Sequence, residues 1–162
     1  MNKWIALITS LPTENATARM RAWRNLKASG AAVLRDGVYL MPEHETCRAT
    51  LDAVAADVQS AGGTALVLRT ESPEGVSFPR LFDRTDDYAV LLAGIAKAND
   101  ELAVDSVANV LKQARKLRKA FTGLADIDFF PGEARRQVEF ALQELELVAA
   151  QSGRVFRTGD RV

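Results

Sequence analysis

The sequence predicts an α+β fold: a β-α-β-β-α-β core followed by a C-terminal three-helix segment. Three observations carry this. Apolar runs short enough for strands alternate with helix-length amphipathic stretches over the first seventy positions. An Asp-Gly dipeptide, Asp36-Gly37, separates two of those runs. Beyond Ser72-Pro73-Glu74-Gly75 the apolar spacing becomes helical throughout.

Trp4 to Thr9 is almost wholly apolar, as a central strand is. Pro12 and the polar Thr13-Glu14-Asn15 end it, and Asn15 or Thr17 is a competent helix N-cap. The first helix runs to Ser29, with Gly30 in the left-handed stop position. Ala31–Arg35 and Val38–Met41 read as paired strands around a type I′ turn at Asp36-Gly37, closed by Pro42. Glu43–Ser60 is a second amphipathic helix with Leu51, Val54, Ala55 and Val58 on one side. Gly62-Gly63 stops it, and Thr64–Arg69 is the fourth strand. This order is a ferredoxin-like split βαβ unit. Right-handed crossovers place the first strand between the third and fourth, leaving the second and fourth as sheet edges that something must cover.

The domain reading is a core over 1–70, a connector over 71–82, a helical bundle over 83–152 and a tail or linker stub over 153–162. Asp83 or Thr85 caps a helix that buries Tyr88, Leu91, Leu92 and Ile95; Asp105 or Ser106 caps a longer one carrying Val107, Val110, Leu111, Ala114, Leu117, Phe121 and Leu124. A third, after Pro131-Gly132, carries Val138, Ala141, Leu142, Leu145 and Val148. Three such stripes bury one another as a bundle or lie across the sheet.

Composition narrows the function. The 162 residues are 48% apolar with a formal net charge of +0, so a nucleic-acid surface must come from local clusters of Lys and Arg. The lone cysteine, Cys47, excludes a disulfide framework and a cysteine-rich zinc module. The apolar start is too short to span a bilayer and lacks a signal-peptide cleavage pattern. A soluble, cytoplasmic protein with no membrane partner is expected.

Two basic clusters stand out. At about 100° per residue, Ala22, Trp23, Leu26 and Arg19 group on one side of the first helix, with Arg21, Arg24 and Asn25 opposite and Lys27 at the border. Arg19 can stack on Trp23 four residues on, or snorkel at the sheet edge. Arg21, Arg24 and Lys27 are candidate phosphate contacts; the alternative is a solvated face. The second cluster is Lys112, Arg115, Lys116 and Lys119 on one helix face, with Arg118 offset and no acid between Ser106 and Ala125. It reads as a phosphate-tracking stripe or as cations complementing the helix dipole.

Catalytic signals are lacking. His44 and Cys47 lie three apart beside Glu43 and Glu45, but no further His or Cys exists to complete a metal site. Cys47 as a redox thiol is the remaining option there. Asp86-Asp87 and Asp126 with Asp128 read as first-turn and loop charges without an acid/base partner. There is no G-x-S-x-G, phosphate loop or dinucleotide fingerprint. No enzyme activity, metal or cofactor is expected.

The segments WIALITSLP, RMRAWRNLKASGAAVLRDGVYLMP and Gly62-Gly63, with FDRTDDY and DIDFFPGEARRQ in the helical half, resemble the N-terminal domain of the ChrB family of bacterial chromate-resistance proteins. The core also resembles the middle domain of PaaX-type repressors and the small ferredoxin-like nucleases of CRISPR adaptation. The first resemblance implies a chromate-responsive regulator that binds promoter DNA, with this chain as the N-terminal module alone. The nuclease resemblance fails at the end of the first strand, where Thr9, Ser10 and Leu11 stand in place of a metal-binding acid. Homodimerisation is common among such cores. A chromate effector, as a tetrahedral dianion, suits arginines, hydroxyls and helix N-termini. Thr17 with Arg19, and Arg84 beside Thr85, are the oxyanion candidates.

Overall fold

The computed structural model describes residues 3–103 and 106–159, the last six by backbone alone. The chain divides into two compact units, Met1–Phe82 and Asp83–Val162. The first runs β1 (Lys3–Ser10), α1 (Ala16–Ala28), β2 (Ala32–Arg35), β3 (Val38–Pro42), α2 (Glu45–Ser60) and β4 (Thr64–Glu71), then a 3-10 turn, Phe78–Phe82. The second holds α3 (Thr85–Glu101), α4 (Val107–Asp126) and α5 (Glu133–Gly159).

The sheet is fully antiparallel in the order β2-β3-β1-β4, as right-handed crossovers require of this element order. Ile5 and Leu7 of β1 share a face with Met41, Tyr39 and Val67. That face receives α1 and α2 through Ala22, Leu26, Leu51, Val54 and Val58, all buried. The opposite face carries Trp4, whose indole stacks on Phe82 at 5.5 Å and meets Phe78 edge-on at 5.4 Å. Those two aromatics belong to the stretch expected as a connector, and they are buried in the first unit.

Both core helices end in a Schellman motif. Ala31 N–H donates to the Leu26 carbonyl at 3.0 Å and Gly30 N–H to Lys27 at 3.1 Å; Gly63 and Gly62 repeat the pattern on Val58 and Gln59. Asn15 caps α1 by position only. Its side chain instead donates to the Ala61 carbonyl at 2.7 Å, tying the start of α1 to the end of α2.

The hairpin corrects one expectation. Only Gly37 has positive φ, so the turn is not type I′, and the β2–β3 register shifts by one residue between Val33 and Arg35. The bulge supplies the twist that a primed turn would have supplied. Gly37 is locked there twice over: a Cβ would stand 2.6 Å from the Thr9 carbonyl, and its own carbonyl accepts from Thr9 N–H at 2.8 Å. Two boundaries also move. Glu43 N–H donates to the Lys3 carbonyl, so that residue extends the sheet ladder and α2 begins at Glu45. At the C-terminus α5 continues to Gly159, through part of the stretch 153–162.

In the second unit α3, α4 and α5 pack on one another around Tyr88, Ile95, Val110, Ala114, Phe121, Val138, Leu142 and Leu145. Leu92 and Val148, expected inside, are exposed. Ser106 caps α4, its hydroxyl accepting from Asn109 N–H at 3.2 Å; the alternative cap, Asp105, lies outside the described residues.

Candidate nucleic-acid interface

α4 is amphipathic because its apolar side chains recur at three and four. Val110, Ala114 and Phe121 are buried, with Leu111, Leu117 and Leu124 packed beside them. That leaves Lys112, Arg115, Lys116 and Lys119 on the solvent side, all exposed. Among the described residues none of the four has an acid within ion-pair distance. Arg118, one step off the stripe, behaves differently. Its Nε donates to Glu146 of α5 at 3.2 Å, a second guanidinium nitrogen bonds the same carboxylate, and the group lies over Phe121 at 5.5 Å. The Glu146 hydrogen bond holds the Arg118 pKa above its ordinary value. From Lys112 to Lys119 the stripe advances roughly 10 Å along the helix axis, about three phosphate rises of one DNA strand.

The basic face of α1 is built from the same residue types and is largely spent. Arg21 donates to both carboxylate oxygens of Asp57 on α2, at 2.8 and 3.0 Å. That bond raises the Arg21 pKa and lowers that of Asp57. Lys27 sits over the Trp23 ring at 4.6 Å. Arg24 is exposed and has no ion pair among the described residues.

Arg19 does not stack on Trp23. Its guanidinium donates to the Leu11 and Pro12 carbonyls, both at 3.3 Å, holding the loop after β1. Trp23 is 40% exposed, because the buried stripe of α1 is Ala18, Ala22 and Leu26. Arg19 and Trp23 therefore sit at its margin. The oxyanion candidates are not brought together. Arg19 lines a cleft of about 440 Å³ with Thr9, Ser10, Thr13 and Tyr39, opposite Asp36. Thr17 lines a different groove, on the outer side of α1, with Met20, Arg21 and Arg24. Arg84 pairs with Asp87 at 3.6 Å, and the Thr85 hydroxyl donates to Asp83 at 2.6 Å, so acids occupy that helix start. The Thr85 hydroxyl and backbone N–H hold the Asp83 carboxyl below the ordinary aspartate range.

Cys47 is buried, and burial pushes its thiol pKa up, away from the thiolate a redox residue needs. No cluster of metal-ligating side chains occurs among the described residues. No helix among them is long and apolar enough to cross a membrane.

One pairing escaped the sequence reading. Tyr88 of α3 donates its hydroxyl to Asp128, after α4, at 2.7 Å, and both are buried. Burial foremost, then the Asp128 bond, raises the Tyr88 pKa; Arg84 and Arg135 act against the shift. FDRTDDY and DIDFFPGEARRQ, forty positions apart, thus meet at one polar contact inside the bundle. No local pattern links Tyr88 to Asp128; the Asp126-Ile127-Asp128 run before two phenylalanines marks only a loop.

The model of the ChrB N-terminal family matches residues 19–161. This chain belongs to that family. It is 37% identical over 139 residues to Protein ChrB of Cupriavidus metallidurans, covering 84% of this chain and 43% of that protein. The chain thus spans less than half the length of that relative. Among solved structures, uncharacterized protein Rv0674 from Mycobacterium tuberculosis superposes with a TM-score of 0.54 at 13% identity, over 93% of this chain and 62% of that one. At that identity the likeness shows shared fold alone.

Proposed function

We propose that this ChrB-family chain is the DNA-binding module of a chromate-responsive transcriptional regulator acting on a chromate-resistance operon. The observation that supports it most is the four-cation stripe of α4, exposed and without ion pairs among the described residues, on a protein of zero net charge. Outside the stripe acids outnumber bases, so the one-sided stripe stands out as a local attractor for phosphates. The module acts as a homodimer, so that two stripes reach two half-sites of the promoter. Among the oxyanion candidates, Arg19 stands in a cleft with the hydroxyls of Thr9, Ser10 and Tyr39, although Asp36 shares that cleft and the guanidinium already bonds two carbonyls.

A gel shift with the operon promoter at stepped salt tests the DNA reading. Affinity should fall steeply with salt, with a slope of about −0.9 per phosphate contacted. A salt-insensitive shift, or none, overturns it. Calorimetric titration with chromate and with sulfate tests the effector. Equal responses to the two anions count against chromate recognition. The alternative, an interaction module with no DNA contact, is favoured by the exposed leucines of β4. A dimer by light scattering that shifts no promoter selects it.

A further inference from the structure

The two edges of the sheet are unequal. β2 is four residues long and bulged between Val33 and Arg35, a device that blunts an edge against further pairing. β4 is eight residues long, pairs with β1 in unbroken register, and contains no proline and no lysine. Its open side is identified by the ladder itself. Thr9 N–H bonds Gly37 on the β3 side, and the Lys3 carbonyl accepts from Glu43 on that same side. Odd residues of β1 therefore serve β3 and even ones serve β4. On β4 the bonded partners are then Thr64, Leu66, Leu68 and Thr70, while Ala65, Val67 and Arg69 turn their backbone groups outward. Beside this open edge Leu66 is 54% exposed, Leu68 40% and the neighbouring Ile8 41%, all on the face opposite α1 and α2.

We propose that β4 is the seam of the homodimer, pairing antiparallel with β4 of a second copy about an axis at Val67. The proposal rests on the homodimeric reading above and names its surface. A second copy suits this edge because the strand is complementary to itself. With Val67 opposite Val67, the two exchange both backbone hydrogen bonds. Leu66 then faces Leu68 of the other copy in the close, non-hydrogen-bonded position, twice over. Arg69 falls opposite Ala65, so no like charges meet; an axis at Arg69 would oppose two arginines. Gln59 already donates to the Ala65 carbonyl at 3.3 Å, but a carbonyl has a second lone pair. The seam joins two four-stranded sheets into one and covers the leucines.

The test is the mass of the chain by light scattering with two sets of variants. Val67→Pro removes an N–H that points outward, so the fold keeps its internal ladder while the seam loses its central bond. Wild type should be dimeric and the variant monomeric, with an unchanged circular dichroism spectrum. A dimeric wild type whose Val67→Pro variant stays dimeric overturns the seam and leaves the homodimer standing. A monomeric wild type overturns both, whereas promoter binding is read separately by gel shift. Should Val67→Pro unfold, an equimolar mixture of Leu66→Cys and Leu68→Cys chains decides. Oxidation should give a 66–68 disulfide between copies, with buried Cys47 inert; predominant 66–66 or 68–68 products, or no cross-link, overturn the register.

Discussion

α1 and α4 each carry a cluster of lysines and arginines, yet among the described residues α4 keeps four of them without an ion pair on one face and α1 leaves mainly Arg24. On α1 the Asp57 carboxylate holds Arg21 and the indole of Trp23 holds Lys27, leaving Arg24. On α4 Glu146 takes only the offset Arg118, and four cations remain on one face. The difference is one of neighbours. α1 packs beside α2, which offers an acid toward its basic side, whereas the solvent side of α4 faces no acid among the described residues. Counting basic residues does not tell which of them are free to meet an anion; their neighbours do.

The sharpest way to break this comparison is to erase the stripe. Replacing Lys112, Arg115, Lys116 and Lys119 together with Ala should weaken promoter binding by about 100-fold or more and flatten its salt dependence. The matched triple change at Arg21, Arg24 and Lys27 should leave most binding intact. If the triple change is the more damaging, as measured by gel shift, the roles of the two helices are reversed.

The stripe also needs its platform. Tyr88→Phe leaves a buried carboxylate without its donor, at a cost of about 1–3 kcal/mol in denaturant unfolding. The raised tyrosine pKa gives the sign of the pH effect. The contribution of Tyr88 is complete below its ordinary value of 10.0 and is lost as pH rises through the higher folded value. Wild type should therefore lose stability relative to Tyr88→Phe only at alkaline pH. A gap between them that stays constant well above pH 10.0 would show that the hydroxyl does not titrate against the fold.

Single changes within α4 separate free from paired charge. Arg115→Ala should lower the salt slope by about 0.9, and Arg118→Ala should leave it nearly unchanged while loosening the contact to α5. Smallest of all, Asp57→Ala frees Arg21 and should raise affinity slightly, with no resolvable change in Tm because the pair is exposed. A drop in affinity there would mean that α1 needs its tie to α2 to bind.

Much of the fold was legible because its signals are local. Gly30 and Gly62 mark helix ends that the chain closes with its own carbonyls, and the element order plus crossover handedness dictates the sheet. The α4 stripe was legible too, since it needs only helical spacing and an acid-free stretch. The rest depends on distant partners. The bulge at Val33 to Arg35 reflects how the hairpin twists against β1, so Asp36-Gly37 alone pointed to the wrong turn. Ala18 shifts the buried side of α1 and pushes Trp23 outward, which spacing about Trp23 and Leu26 did not show. Arg21 with Asp57, Arg118 with Glu146 and Tyr88 with Asp128 are 36, 28 and 40 positions apart, beyond any local pattern.

The clasp of Phe78 and Phe82 on Trp4 sets where the chain can be cut. A fragment ending at residue 71 keeps every strand but strips both aromatic lids from the indole of β1. Such a piece should aggregate or open at its first strand, while one running through Phe82 should fold. The exposed Ser77–Pro73 side of the turn is the natural site for a protease, and a nick there should release no fragment until the indole lets go. In a Trp23→Phe background, Trp4 emission, blue when clasped and red when free, reads that event.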